Sequence, residues 1–364
     1  MAKQCSIALI VFQILGQAVY FVYYANDFIQ LLFFDLTSIS AGIWTNLIAF
    51  VCGFWLVNLL APRMMMFPPT EKFLNIIAKI PFFSQLLWNR KSQIKFTLWI
   101  TAILSIAMFI SRDWVVVKHK TIEIEKLTVD KDYIRFAVIS DIHAGASVYK
   151  SQVASVVDKI AEQQVDAILI IGDVVDAPVD EIIDRVSPIF QLPNQAPTFF
   201  VTGNHEYYYG NMQEWLDVYG KYHIQVLDNK SRMLHGICLA GVNDLASSKA
   251  GIKNHDMDLR KAISDCPDNS SKVLMAHNPA SIKIFQVDEP KELRMIDLIL
   301  SGHTHGGQFY VVVPIVYWLL PYFYGHYQIS DVTQLFVMAG SLYQGPPMKM
   351  VGMSEVWVID LVSA

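Results

Sequence analysis

The chain has 364 residues, of which 53% are hydrophobic and only 17% are charged. Because soluble domains usually carry about 25% charged residues, this composition argues against an ordinary soluble protein and favours one partly embedded in a membrane. The formal net charge of −5 gives no reason to expect a nucleic-acid partner. Four cysteines occur without a CxxC pair. Cys238 and Cys266 can pair only if their part of the chain faces an oxidising compartment, which the sequence leaves open.

The first third of the chain contains three uncharged runs, between Lys3 and Asp27, between Asp35 and Arg63, and between Lys95 and Arg112. A bilayer core needs about 20 apolar residues, so these runs predict transmembrane helices at about 4–26, 38–61 and 96–112. The third run is short and spans only if its flanking basic side chains reach the interface. The alternative is three buried helices of a soluble domain, which are hard to cover before any polar domain begins.

Basic residues predict the orientation of these spans. The loop from 62 to 95 carries six lysines and arginines, whereas the loop from 26 to 40 carries none. By the positive-inside rule the 62–95 loop is cytoplasmic, and residues 71–89 within it are interpreted as an interfacial helix. The chain after about residue 115 is then extracytoplasmic or lumenal. Two N-glycosylation sequons, at Asn229 and Asn269, agree with this placement.

From about residue 133 the pattern is that of an α/β domain. Short apolar runs predict strands at 133–140, 166–171, 197–203, 271–277 and 296–302. Val153, Val156, Val157 and Ile160 form one stripe of a helix within 148–163. Strand, helix, strand implies a parallel sheet, with functional residues beyond the carboxyl ends of its strands.

Polar residues stand at each of those strand ends, namely Asp141, His143, Asp173, Asn204, His205, His277, His303 and His305. A single histidine there is best explained as a hydrogen-bonded loop residue. Five histidines together with two aspartates and an asparagine are not. Imidazole, carboxylate and carboxamide groups suit Mn, Zn or Fe, and two such cations can share a hydroxide and bind phosphate oxygens.

The motifs D-x-H, G-D-x-x-D, G-N-H-E, a lone histidine and G-H-x-H, in this order, resemble the calcineurin-like metallophosphoesterases over residues 130–360. The resemblance implies a four-layer α/β/β/α sandwich at 116–364, following a membrane region at 1–115. It also implies two divalent metal ions, with Asp173 bridging them. The first would be held by Asp141, His143, Asp173 and His305, and the second by Asp173, Asn204, His277 and His303. His205 would donate a hydrogen bond to the phosphate and act as general acid after attack by a bridging hydroxide.

Departures from the family patterns narrow the choice of subfamily. Asp176 stands where purple acid phosphatases have a tyrosine ligand, and Ala177 and Pro178 replace the end of the protein phosphatase motif. His205 keeps a position that lipid A-pathway hydrolases often fill with arginine. Spans followed by GNHEYYYG and GHTHGGQ resemble the membrane-anchored members found in animals and bacteria. Those members often carry an arginine near the C-terminus, where this chain has Lys349.

The apolar run at 309–324, FYVVVPIVYWLLPYFY, follows the last histidine pair directly. It has three interpretations. Its 16 residues and two prolines argue against a fourth span. It can be ordinary core strand and loop. It can also be a membrane-surface patch, since Trp318 and several tyrosines favour the interface.

The function predicted is that of a membrane-anchored phosphohydrolase acting on a phosphodiester or pyrophosphate, with a lipid-linked substrate as one possibility. The alternative is a non-catalytic membrane receptor or scaffold that retains the fold. The intact set of candidate ligands favours the enzyme. A channel is disfavoured because no charged residue lies inside the predicted spans.

Overall fold

A computed structural model of the protein describes residues 10–11, 14–16, 29–125, 127, 132–209, 211–253 and 255–364. The chain divides into two compact units, Met1–Ile110 and Ser111–Ala364. The first predicted span, residues 4–26, lies outside the described residues except for five positions.

The first unit is helical. Its helices are α1 (Ile29–Met64), α2 (Pro68–Ile77), α3 (Pro81–Trp88) and α4 (Arg90–Ser111), the last of which ends on the first residue of the second unit. Two of them, Phe34–Met64 and Arg90–Ser111, are long and apolar enough to cross a membrane. They contain the second predicted span and nearly all of the third. Two candidate membrane helices are therefore described, and the predicted bundle of three is not.

Polar side chains connect the two long helices. Asn58 and Gln93 exchange two hydrogen bonds, of 2.9 and 3.2 Å, between their amide groups. Further along, the amide of Asn46 donates to Ser105 Oγ at 3.1 Å. Large apolar side chains on both helices are exposed, as Trp55 and Trp99 illustrate. Exposed apolar surface with polar contacts between helices is the arrangement that a lipid environment favours.

The second unit contains twelve strands among its described residues. They are β1 (Val116–Ile124), β2 (Tyr133–Ile139), β3 (Ala167–Ile171), β4 (Thr198–Val201), β5 (Gln225–Val226), β6 (Lys230–Leu234), β7 (Ile237–Gly241), β8 (Lys272–Met275), β9 (Leu298–Ser301), β10 (Gly325–Gln328), β11 (Gln334–Val337) and β12 (Glu355–Ser363). One sheet has the order β1-β12-β2-β3-β4-β5, and the other has the order β10-β11-β9-β8-β7-β6.

Both sheets are mixed. In the first, β2, β3, β4 and β5 are parallel, and β12 is antiparallel to β2 but parallel to β1. In the second, β7, β8, β9 and β11 are parallel, flanked by antiparallel β6 and β10. The five strands predicted from apolar runs are all present, and those that pair with each other are parallel as predicted, but both sheets also contain antiparallel strands. Three lie in the first sheet and two in the second.

Helices of the second unit follow the strand ends. They are α5 (Lys150–Ala161), α6 (Val179–Val186), α7 (His205–Tyr208), α8 (Met212–Lys221), α9 (Leu259–Ile263), α10 (Ser281–Asp288), α11 (Pro290–Leu293) and α12 (Val313–Leu319), with 3₁₀ turns at Ser187–Asn194, Leu245–Lys249 and His305–Gly307. The predicted stripe of α5 is buried, and a capping box between Tyr149 and Gln152 begins this helix.

Three apolar clusters show how these elements are layered. Alternate residues of β2 and β3, such as Ala137 and Ile168, join the helices on one side. The residues between them, such as Phe136, join side chains of the second sheet. A third cluster lies between the second sheet and helices α9 to α11. Two sheets therefore pack face to face with helices outside, and the α/β class is confirmed. This packing brings the strand ends of both sheets together.

Candidate metal centre

All eight predicted side chains lie in one buried or half-buried cluster at the carboxyl ends of five strands. Asp141 and His143 follow β2, Asp173 follows β3, and Asn204 and His205 follow β4. The second sheet supplies the others: His277 follows β8, and His303 and His305 follow β9. A sharp turn follows each of these strands, and the polar residues in the turns lie where the two sheets meet.

The turns carry unusual backbone conformations. Nine non-glycine residues of the described chain have positive φ, and five of them belong to the cluster: Asp141, His143, Asp173, His303 and His305. Left-handed backbone at non-glycine residues costs free energy and is found where a function requires it. Neighbouring glycines make room, since a Cβ on Gly203 would collide with the Asp173 carboxylate and one on Gly302 with that of Asp141. The backbone is thus shaped around the two carboxylates.

One group of potential ligand atoms surrounds Nε2 of His143. This nitrogen lies 3.1 Å from His305 Nε2, 3.7 Å from Asp173 Oδ2 and 4.0 Å from Asp141 Oδ1. Asp141 Oδ1 is in turn 3.5 Å from His305 Nε2. Metal–ligand distances of about 2.0–2.2 Å place neighbouring ligand atoms roughly 3–3.5 Å apart. The spacing in this group is close to that expected around a single cation.

A second group lies on the other side of Asp173. Its Oδ2, the same oxygen that faces the first group, is 3.1 Å from His277 Nε2. His303 completes a cluster with these two residues, and its Nδ1 is 2.8 Å from Asn204 Oδ1. Nδ1 of His277 donates to the main-chain oxygen of Ile171 at 2.7 Å, which leaves its Nε2 unprotonated in the neutral ring. Such a hydrogen bond orients metal-binding histidines.

Buried polar atoms without partners test whether the group fits a metal pair. His277 Nε2, which faces Asp173, is buried and makes no hydrogen bond in the described chain. The Nε2 atoms of His143 and His305 face each other, and they can form a hydrogen bond only if one of them carries a proton. Leaving buried polar atoms unsatisfied costs about 1–3 kcal/mol each. A cation satisfies Nε2 atoms and carboxylate oxygens together, so the residues present fit divalent metal ions.

Charge states in the metal-free cluster are displaced from their ordinary values. Burial raises the pKa of Asp141. Burial also disfavours the carboxylate of Asp173, but the neighbouring His277 and His205 outweigh it and hold the pKa of Asp173 well below its usual range. Burial and the nearby His143 hold the pKa of His305 well below its usual range. A neutral His305 and an ionised Asp173 are the forms that bind metals.

His205 lies beside the ligand groups and is tied to Asp176. Its Nδ1 is 2.6 Å from Asp176 Oδ1, and its main-chain N–H donates to Asp173 Oδ1 at 2.8 Å. Burial opposes charge on this imidazole, but the carboxylates of Asp176 and Asp173 outweigh burial and raise the pKa of His205 to about 9. The ring therefore holds a proton at neutral pH in the metal-free chain.

Two further carboxylates in the site were not among the predicted site residues. Asp176 Oδ1 also accepts from Nδ1 of His143 at 2.9 Å, so one oxygen orients two histidines. Glu206 accepts the main-chain N–H groups of Asp173, Val174 and Gly203 at 3.0, 2.7 and 2.6 Å. Both residues complete the quoted motifs G-D-x-x-D and G-N-H-E, which were the available signal.

Two glutamines were also missed. The side-chain nitrogen of Gln344 lies 2.6 Å from His205 Nε2, at the exposed side of the cluster. The buried amide of Gln308 accepts from the main-chain N–H of Gln344 and donates to its carbonyl, at 3.0 and 2.9 Å. Gln308 follows the motif GHTHGG directly. Its contact with residue 344 spans 36 positions and has no local pattern in the sequence.

Lys349 has a structural position. Its ammonium group donates to the main-chain oxygens of Ala339 and Gly340, at 2.7 and 3.0 Å, and of Leu342. Gly340 packs against the Cβ of Asp141, so this lysine holds the loop behind a candidate ligand. Burial lowers the pKa of Lys349 to about 8. Related proteins often carry an arginine near the C-terminus, and Lys349 was considered as its counterpart. Because the ammonium of Lys349 is buried, it cannot take that role toward a substrate.

Comparisons with known proteins agree with this geometry. Residues 134–307 match the family model described as calcineurin-like phosphoesterase. A metallophosphoesterase of Caenorhabditis elegans is 35% identical over 251 residues, which are 68% of this chain and 52% of the relative. The transmembrane protein with metallophosphoesterase domain of Danio rerio is 32% identical over 67% of this chain and 56% of its own length. An uncharacterized metallophosphoesterase of Helicobacter pylori is 32% identical, with 68% and 64% covered.

Fold and site together define an α/β domain of the metal-dependent phosphoester hydrolases. The chain belongs to the calcineurin-like metallophosphoesterases, and its relatives include proteins named for a transmembrane region joined to that domain. The chain spans only about half the length of the first curated relatives that it matches.

Proposed function

We propose that the protein is a membrane-anchored phosphohydrolase that cleaves a phosphodiester or pyrophosphate bond in a lipid-linked substrate. Residues 1–115 form its membrane region and residues 116–364 its catalytic domain. One metal ion is held by Asp141, His143, Asp173 and His305, and a second by Asp173, Asn204, His277 and His303. The observation that carries the proposal is the position of Asp173 Oδ2, between His143 Nε2 at 3.7 Å and His277 Nε2 at 3.1 Å.

Two divalent cations bound here would lower the pKa of water and neutralise negative charge on the reacting phosphate. The protein's own groups supply orientation and a proton. His205 is held by Asp176 through Nδ1, so its Nε2 is the atom that gives a proton to the departing oxygen. This Nε2 contacts the side-chain amide of Gln344, and we propose that a substrate oxygen takes the place of that amide.

Charge at the site favours a substrate with a single negative charge on the reacting phosphorus. Lys349 is the basic side chain that acts on Asp141 and His305, and its ammonium is directed to three main-chain oxygens. The ammonium of Lys349 therefore does not face the second negative charge that a phosphate monoester carries. Rings of Tyr208 and Tyr209 lie 5.5 and 5.3 Å from the His205 ring and can contact the organic part of the departing group.

A substrate panel tests this function. The full chain in detergent would be stripped of metal, reloaded with Mn, Zn or Fe, and assayed on a soluble diester, a soluble monoester, a phospholipid and a lipid pyrophosphate. We expect metal-dependent turnover, highest on the diester or pyrophosphate class. Asp173→Asn should abolish it. Stoichiometric metal binding without hydrolysis of any substrate would favour the receptor or scaffold instead, and equal turnover by the variant would show contamination.

We propose that the catalytic domain faces an oxidising compartment. Cys238 and Cys266 form a disulfide with a Cα–Cα distance of 5.6 Å, and such bonds persist outside the cytosol. The sequon at Asn229 does not support this placement, because its amide is buried and bonded to the main chain of Asp256, Asn243 and Asp258. A protease added to the cytosolic face of sealed membranes should leave the domain intact. Cleavage from that face would place the domain in the cytosol.

A further inference from the structure

The apolar segment 309–324 forms neither a span nor a core strand. Its central part is helix α12, seven residues long, and no charged residue occurs between Gln308 and His326. Four of its side chains, here called the α12 face, are strongly exposed: Ile315 at 62%, Tyr317 at 60%, Trp318 at 84% and Leu319 at 75%. A contiguous exposed patch of this kind marks an interaction surface.

The ends of the segment are fixed to the candidate metal centre. The hydroxyl of Thr304, between His303 and His305, donates to the main-chain oxygen of Phe323 at 2.7 Å. The Phe323 ring also packs on Gly307, where a Cβ would lie 3.4 Å from it. The segment therefore leaves and returns to the loop that carries two candidate ligands, and the α12 face cannot move far without disturbing that loop.

Contacts between the loop beside the α12 face and the residues at the end of helix α4 indicate that this surface meets lipid. Tyr310 accepts the main-chain N–H of Val351 at 3.0 Å, and Val351 is itself an exposed apolar side chain. The same loop binds the first residues of the domain: Ser111 Oγ donates to Lys349 O at 2.6 Å, and Ser354 Oγ donates to Arg112 O at 3.0 Å. Ser111 ends a helix long enough to cross a bilayer, so this loop lies at the membrane surface if that helix crosses.

Composition also favours lipid over a protein partner. The α12 face combines aliphatic side chains with a tryptophan and a tyrosine, which settle where hydrocarbon meets water. Pro314 stands in the first turn of the helix and Pro321 follows its end, and the helix is too short to span a bilayer. A short apolar element that carries a tryptophan and a tyrosine is suited to the membrane surface.

We propose that the α12 face inserts into the bilayer in which the chain is anchored and presents the metal centre to lipid-linked phosphoesters at the membrane surface. The insertion rests on the proposed membrane anchoring, and the delivery of a substrate rests also on the proposed catalytic function. A lipid substrate then reaches the cluster along the segment between Phe309 and Phe323 without leaving the membrane.

Fluorescent labels test the insertion in the full chain reconstituted in vesicles of neutral and anionic phospholipid. In a background that carries Cys5→Ser and Cys52→Ser, an environment-sensitive dye is attached at Leu319→Cys and, as a matched control, at Val287→Cys. These two side chains have nearly equal exposure, 75% and 77%. We expect blue-shifted emission and quenching by chain-labelled nitroxide lipids at position 319 only. Equal quenching at both positions, or none at 319, overturns the proposal.

Activity separates insertion from catalysis. Trp318→Glu combined with Leu319→Glu should lower kcat/KM on a phosphoester embedded in vesicles by about tenfold, because a charged face resists burial in lipid. Turnover of a soluble diester should stay within about twofold, as it should for Val287→Glu on both substrates. Unchanged turnover of the embedded substrate, or equal loss on both, overturns delivery. If the parent chain cleaves no phosphoester, the proposed function fails while the label result still stands.

Discussion

Two histidines with different proposed roles share one oxygen atom. Oδ1 of Asp176 lies 2.9 Å from Nδ1 of His143, a proposed metal ligand, and 2.6 Å from Nδ1 of His205, the proposed acid. The rings are perpendicular, with centroids 4.4 Å apart. Because the shared carboxylate fixes both Nδ1 atoms, both Nε2 atoms are left to point at the reaction. Asp176 thus couples metal binding to proton donation.

Replacing Asp176 with asparagine should therefore change the pH dependence. An acid works only while protonated, so activity is lost as pH rises through the pKa of His205. The Asp176 carboxylate raises this pKa, to about 9 in the metal-free chain, so its removal lowers it. We expect the alkaline limb of kcat to move roughly 1–3 pH units toward lower pH. We also expect a fall in kcat of about 10–100-fold, measured from full pH profiles. An unmoved limb would contradict the assignment.

A second prediction concerns His205 itself. Protonating a leaving oxygen contributes about 10²–10⁴-fold when that oxygen is a poor leaving group. His205→Gln should therefore cost this much on an alkyl diester but far less on a p-nitrophenyl diester, whose anion leaves without help. Metal content should be unchanged, as measured by elemental analysis. Equal losses on the two substrates would mean that His205 positions the phosphate and does not donate the proton.

At the scale of elements, the strand ends were predictable and the pairing of strands was not. An apolar run such as 167–171 is buried on both faces, and its end beside a glycine marks a turn, so local composition suffices. By contrast β1 pairs with β12, more than 200 residues away, and no local signal specifies that partner. The candidate ligands were identified from such local signals at the strand ends. Gln344 was missed because its contact depends on distant packing, and three interpretations of the segment 309–324 were left open for the same reason.

The disulfide links strand β7 to the chain just after helix α9. Its loop of 28 residues corresponds to about 3–4 kcal/mol of stabilisation from lost chain entropy. Cys238→Ala combined with Cys266→Ala should lower the free energy of unfolding by about this amount, as measured by denaturant titration in detergent. Cys52→Ser is the control and should have little effect. A double variant as stable as the parent would indicate that these thiols are reduced in the native protein.

At the scale of the whole molecule, the candidate metal centre lies between the two sheets and is formed by residues of both. Each proposed metal ion takes ligands from both, since His305 and His303 come from the second sheet and Asp173 from the first. Binding a cation therefore adds free energy to the packing of one sheet on the other. The prediction that follows concerns the stability of the domain as a unit.

Metal removal should lower the melting temperature of the full chain. A ligand present at about 100 times its Kd stabilises the folded state by about 2.7 kcal/mol. For a domain of this size that is roughly 5–10 °C in Tm. Differential scanning fluorimetry with chelator, then with added Mn or Zn, measures the shift. Asp173→Asn, which loses an oxygen shared by both sites, should respond much less, and an identical shift in this variant would contradict a shared ligand.

The division of the eight site residues between the two sheets has a consequence for biosynthesis. A nascent polypeptide that has emerged only as far as the end of α7 contains five of those residues but lacks the second sheet that supplies the other three. Hydrolytic capacity would then arise late, once the stretch around His303 and His305 has left the ribosome and docked. A premature stop before that stretch should yield an inert fragment, because the residues of the second sheet are then missing from the site.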